Sequence, residues 1–140
     1  VKFSLDNANY VQYDNSIKVY KDNVFNFDLA KPLYDGASVV VNMCIPIAMY
    51  MGFNKIILLG CDTNYYSKSH NNPYFYNSNE HKTFFDDSAD RNNDWILKVI
   101  QSYEIVLKNA LKNNTQILNA TPGGNLEVFE RVKYTEVCDE

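Results

Sequence analysis

Four branched apolar residues in a row, Ile56 to Leu59, stand between Lys55 and the closing triplet Gly60-Cys61-Asp62. A strand with one wet face alternates apolar and polar residues. An unbroken run this short, bounded by Lys and Gly, predicts a strand buried on both faces. Just upstream, Gly36-Ala37-Ser38 opens a long apolar run in which Val41, Cys44, Ile45, Ala48 and Met49 or Met51 recur at helical spacing. Ser38 suits the N-cap, Gly52 suits the C-terminal stop, and Pro46 should kink the helix between them. A strand over Val39 to Val41 is the rival reading. A helix leading directly into a buried strand is half of a βαβ unit, so the expected class is α/β with a parallel sheet and flanking helices.

The second half repeats the logic. Asn93-Asp94-Trp95 starts a helix with Trp95, Val99, Ser102, Val106 and Ala110 on one face. Ile96, Ile100, Tyr103 and Leu107 lie beside them, while Lys98, Glu104, Lys108 and Lys112 turn outward. Asn113-Asn114 ends this helix, and Thr115 to Ala120 reads as a second buried strand that stops at Thr121-Pro122-Gly123-Gly124. Between the strands, the segment from Thr63 to Arg91 is too long for an ordinary connection and rich in aromatics, which predicts a lid or a partly ordered excursion over the sheet edge. Before Asp35 only short extended pieces are expected, over residues 10–13, 17–20 and 24–27.

Composition sets outer limits. With 140 residues and 46% apolar content, the chain can fill the core of a single α/β domain spanning residues 1–140. The longest apolar stretch, Val39 to Phe53, is interrupted by Asn42 and too short to span a membrane. A net charge of −4, with Arg91 and Arg131 as the only arginines, argues against nucleic acid as a partner. The cysteines Cys44, Cys61 and Cys138 form no C-x-x-C pair, and Val1 to Asp6 hold no long apolar core. A reduced, cytoplasmic setting is therefore expected, without a secretory leader. The abundance of Asn, Tyr and Lys fits the coding bias of an AT-rich bacterial genome.

In open α/β sheets ligands sit outside the carboxyl ends of the strands, which marks Gly60 and Asp62 after one strand and Thr121, Gly123 and Gly124 after the other. Asp62 could orient a donor sugar or hold a divalent cation, or simply cap its turn through an Asx hydrogen bond. Thr121, Gly123 and Gly124 could contact a base or ribose, or only make a tight turn. Gly36 and Ser38 lie at a helix amino terminus, where backbone donors favour an anion, although Ser38 could act purely as a cap. His70 and His81 are the only imidazoles, hence the candidate general bases. Asp86, Asp87 and Asp90 form an acidic group that could substitute as base, bind a metal or merely be solvated. Cys61 has no neighbouring base in the sequence and reads as a buried thiol rather than a nucleophile.

Three segments carry a resemblance: Gly36-Ala37-Ser38, the stretch from Met51 to Asp62, and Ile117 to Gly124. Together they resemble the second half of the domain shared by 6-hydroxymethylpterin diphosphokinase-like proteins and motility-associated flagellin-modifying glycosyltransferases. They are also similar to the bacterial family 42 sialyltransferases. The resemblance covers roughly residues 36–132, and Gly52 to Asp62 is its most specific part. It implies a Rossmann-like domain that transfers a sugar from a nucleotide-activated donor, of the CMP-sialic acid type, to a hydroxyl of a glycan or small-molecule acceptor in surface-polysaccharide synthesis. No bound cofactor is implied beyond the nucleotide-sugar donor. The diphosphokinase branch implies magnesium and ATP instead, with Asp62, Asp86 and Asp87 as oxygen ligands. A catalytically silent binding or assembly domain on the same fold is the third possibility.

In the sialyltransferases two tyrosines after the strand stabilise the departing phosphate. The first such position falls here on Asn64, and Tyr65 and Tyr66 follow it as candidates. The family's general-base histidine would fall near Ala89, where this sequence has none. The families' amino-terminal Gly-x-Gly-Pro-Ser-type turn also has no counterpart, which implies either the carboxyl-terminal half of a longer protein or a divergent fragment. Exposed aromatics such as Tyr74, Phe75 and Tyr76 leave room for burial in a homo-oligomer.

Overall fold

The computed structural model describes residues 11–63 and 89–137. It is a mixed α/β structure with two small parallel sheets. Strands β1 (Tyr13–Lys18) and β2 (Leu33–Asp35) form one sheet, with the short helix α1 (Val19–Asp22) between them in sequence. After β2, a π-helical turn, Val40–Cys44, runs into helix α2 (Ile45–Tyr50). The second sheet has the order β3 (Lys55–Leu58), β4 (Gln116–Asn119), β5 (Glu130–Arg131), all parallel. Helix α3 (Ala89–Lys112) precedes β4, and α4 (Tyr134–Val137) follows β5.

Helix ends follow local chemistry. Gly52, at φ +85°, closes α2 by donating to the Met49 carbonyl while Phe53 donates to that of Ala48. This is the Schellman pattern, and glycine adopts the left-handed conformation without cost from a Cβ. Asn114 does the same for α3 at φ 55°, with its N–H on Leu111 and that of Thr115 on Ala110. The kink expected at Pro46 takes a different form. The Ile45 N–H reaches back five residues to Val40, widening the turn, so that Pro46 enters the first turn of α2, where its missing donor is of no consequence.

The core lies between α3, the π-helical turn with α2, and one face of the β3–β4–β5 sheet. Val41, Ile45, Met49, Leu58, Val99, Tyr103, Val106, Ala110, Ile117, Leu126 and Phe129 form one buried cluster. The Tyr103 ring meets Phe129 edge-on at 5.4 Å, a favoured aromatic geometry. The α3 core face is the one that the 3.6-residue period marks out, but the helix begins earlier than Asn93, at Ala89.

Two expectations change. Strand β4 is buried on both faces, through Ile117, Leu118 and Asn119, but β3 is not: Ile57 is 37% and Leu59 56% exposed. Successive residues of a strand alternate sides, so Ile56 and Leu58 turn to the core while Ile57 and Leu59 turn out. The amino-terminal pieces are displaced as well. Residues 13–18 pair as β1, residues 24–27 form no strand, and β2 was not expected at all. The lid expected between the strands, residues 64–88, lies outside the described residues, as do Tyr74, Phe75 and Tyr76.

Candidate functional site

The carboxyl ends of β3 and β4 deliver two loops to one place. Gly60 and Thr63, in the first loop, adopt positive φ, 76° and 51°. The Cys61 N–H donates to Thr121 Oγ1 at 3.0 Å, and the Asn125 N–H to the Asp62 carbonyl at 2.7 Å. Gly124 lies so close to Asp62 that a Cβ there would fall 2.5 Å from the Asp62 carbonyl oxygen. Asp62, Thr121 and Gly124, three residues singled out by their place in the sequence, are thus brought together. Gly60 and Gly123 flank them at positive φ, with no protein atoms near their Cβ directions.

Two residues that the sequence did not single out hold this arrangement. Asn119, buried in β4, donates through Nδ2 to the Leu126 carbonyl at 2.9 Å and accepts the Thr121 N–H on Oδ1 at 3.0 Å. Arg131 donates to the carbonyls of Thr121 (3.2 Å), Gly123 (2.6 Å) and Gly124 (2.9 Å). Its Nε and Nη2 also engage the Glu127 carboxylate, between 2.7 and 3.0 Å. One planar guanidinium thus gathers three carbonyls of the Thr121–Gly124 turn, a fork that a lysine cannot reproduce. The sequence signal was present in the spacing of Glu127 and Arg131, four apart, and in the scarcity of arginine.

Cys61 is half-buried. Burial pushes its thiol up from the ordinary value, and a hydrogen bond with the Tyr103 hydroxyl only partly offsets this. A raised thiol pKa gives little thiolate at neutral pH, in line with a structural rather than a nucleophilic cysteine.

At the carboxyl end of β2 lies a second polar cluster. Lys18 Nζ donates to Asp35 Oδ2 at 2.6 Å, the Ala37 N–H to Asp35 Oδ1 at 2.9 Å, and the Tyr13 hydroxyl hydrogen-bonds the same carboxylate. Asn42 Nδ2 donates to the Tyr13 hydroxyl at 3.2 Å, and Asn42 Oδ1 accepts the Gly36 N–H at 2.6 Å. Burial alone would raise the Asp35 carboxyl, but Lys18 and the Ala37 N–H outweigh it and hold it below the ordinary value. Tyr13 is pushed up, first by burial and then by the Asp35 charge.

This cluster gives Gly36 and Ser38 specific local roles. The N–H groups of Gly36 and Ala37 are already engaged by side chains of the chain itself. A Cβ on Gly36 would fall 2.2 Å from Val41 Cγ1, so glycine is required for packing. The Ser38 carbonyl accepts the Asn42 N–H at 2.8 Å, but the helical turn is capped at Val39 without a side-chain hydrogen bond, so Ser38 is not the N-cap that its place in the sequence suggested. Tyr65, Tyr66, His70 and His81, together with Asp86 and Asp87, lie outside the described residues. Among the described residues no group of three or more His, Cys, Asp or Glu could hold a metal ion, and no helix is long and apolar enough to cross a membrane. No protein-family model, curated protein or solved structure matches the chain.

Proposed function

We propose that this chain is a Rossmann-like transferase domain that moves a sugar from a nucleotide-activated donor to a hydroxyl acceptor. One observation carries the reading: two parallel strands end in loops in backbone contact, with Asp62 on one and Thr121 and Gly124 on the other. That is the position where open parallel sheets take up nucleotides. Asp62 orients the donor, and the Thr121–Gly124 turn meets its base or ribose. Tyr65 or Tyr66 donates to the departing phosphate, and His70 or His81 accepts the proton of the acceptor hydroxyl. The outward apolar residues Ile57 and Leu59 support a further layer packed over the outer face of this sheet, because parallel sheets bury both faces.

The test is thermal unfolding of the chain with CMP, CMP-sialic acid, UDP-sugars, GDP-sugars and ATP, with and without magnesium. A ligand that binds only the folded state raises the melting temperature. A shift with one nucleotide sugar, abolished in Asp62→Asn, supports the proposal. A shift confined to magnesium-ATP would move the reading to a diphosphokinase, and no shift with any nucleotide would refute both.

A further inference from the structure

Helix α3 has a second apolar face. Its core face holds Val99, Tyr103, Val106 and Ala110. A groove of about 550 Å³ runs beside it, walled by Ile100, Leu107, Leu111 and Val128, with Glu104, Lys108 and the Arg131-paired Glu127 on its rim. At 100° per residue, Ile100, Glu104, Leu107, Lys108 and Leu111 fall on one stripe beside the core stripe, with Ile100, Leu107 and Val128 also packed against the core. Leu111 is 64% exposed, and Glu104 and Lys108 are exposed too. Glu104 and Lys108 stand one turn apart, yet make no ion pair with each other or with any other described residue.

We propose that this face pairs with the same face of a second copy of the chain, the two α3 helices running antiparallel about a two-fold axis. The charges select this arrangement. Glu104 and Lys108 are separated by about 6 Å along the helix. A two-fold axis at the level of Val106, midway between them, sets Glu104 beside the partner's Lys108 and Lys108 beside the partner's Glu104. The contact is self-complementary, as a closed two-fold interface must be. In the same register Leu107 approaches the partner's Leu107 near the axis, and Leu111 comes level with the partner's Ile100, so the groove fills with aliphatic side chains. A parallel pairing in register would instead set Glu104 against the partner's Glu104. This interface is independent of the proposed transferase activity.

Sedimentation of the full chain across a concentration series tests the pairing. The expected species has twice the 16.2 kDa chain mass. Leu111→Glu, Glu104→Lys and Lys108→Glu alter exposed side chains only, so the fold, checked by circular dichroism, should persist. Each is expected to weaken dimerisation by roughly tenfold or more. The double variant E104K/K108E is expected to restore it to within about threefold of the parent, because its charges again match across the axis. A chain that stays monomeric at every concentration would overturn the proposal. So would a dimer indifferent to Leu111→Glu, or a double variant as weak as the singles. A monomer whose groove takes up anilinonaphthalene sulfonate would assign the groove to a small apolar ligand instead.

Discussion

Gly124 and Asp62 are in backbone contact: a Cβ built on Gly124 would lie 2.5 Å from the Asp62 carbonyl oxygen and 2.9 Å from the Asp62 Cβ. Gly124 also sits at φ +80°, and the next residue, Asn125, donates its N–H to that same carbonyl. The loops after β3 and β4 therefore approach as closely as they do because one position lacks a side chain.

Gly124→Ala combines a left-handed conformation with a clash against backbone that cannot rotate away. We expect a loss of about 2–3 kcal/mol in urea unfolding. Gly123→Ala, at φ +72° with open space around it, should lose only about 1 kcal/mol, from backbone strain alone. Equal losses for the two variants would show that the approach to Asp62 is not what holds the loops together.

Arg131→Lys keeps the charge but cannot serve three carbonyls and a carboxylate at once. The midpoint of urea unfolding should fall. Amide exchange should quicken at Cys61 and Asn125, whose N–H groups bridge the two loops. Unchanged exchange at these two amides, read by NMR, would remove Arg131 from its role in shaping the site.

Ser102 is fully buried in α3, and its Oγ has no hydrogen-bond partner. An unpaired buried hydroxyl is unfavourable, and alanine is the better helix former. Ser102→Ala should therefore raise stability by about 0.5–1 kcal/mol, visible as a higher urea midpoint with an unchanged slope. A lower midpoint would mean that the hydroxyl is satisfied in solution.

Asp35 supplies a pH dependence whose sign is fixed. Its carboxyl is held below the ordinary value despite the opposing effect of burial, chiefly by Lys18 and the Ala37 N–H. A depressed folded-state pKa stabilises the fold above the unfolded value of about 3.9, and this contribution fades as pH falls through the folded value. Asp35→Asn should therefore cost about 1 kcal/mol at neutral pH, and the gap to the parent should close in acid. A gap that stays constant from neutral pH into strong acid would show that the ion pair contributes nothing.

Much of the second half was legible because periodicity and burial agree there. Thr115 to Ala120 reads as a strand with two dry faces, and β4 has them. The α3 core face follows the 3.6-residue spacing of Val99, Val106 and Ala110. The end signals at Gly52 and Asn113-Asn114 fall where the structure places the caps. The first half was harder to read. Strand β2 has only three residues and follows Pro32, too short a segment for any period to show. It is held by the Leu33 N–H on the Gln12 carbonyl and by Asn26 Nδ2 on the carbonyls of Asp28, Lys31 and Pro32.

By itself, the sequence determined the α/β class, the order of the strand–helix–strand crossover and the two loops at which a site would be sought. These depend on spacing along the chain, on turn residues and on hydrophobic period, all of which are local. Tertiary structure alone decided that Asp62 meets Gly124, that Arg131 gathers the carbonyls of the turn, that Gly36 gives way to Val41, and that Ile57 and Leu59 face outward. Each of these depends on what arrives from a distant part of the chain, and neither composition nor period encodes which surface a neighbouring element covers.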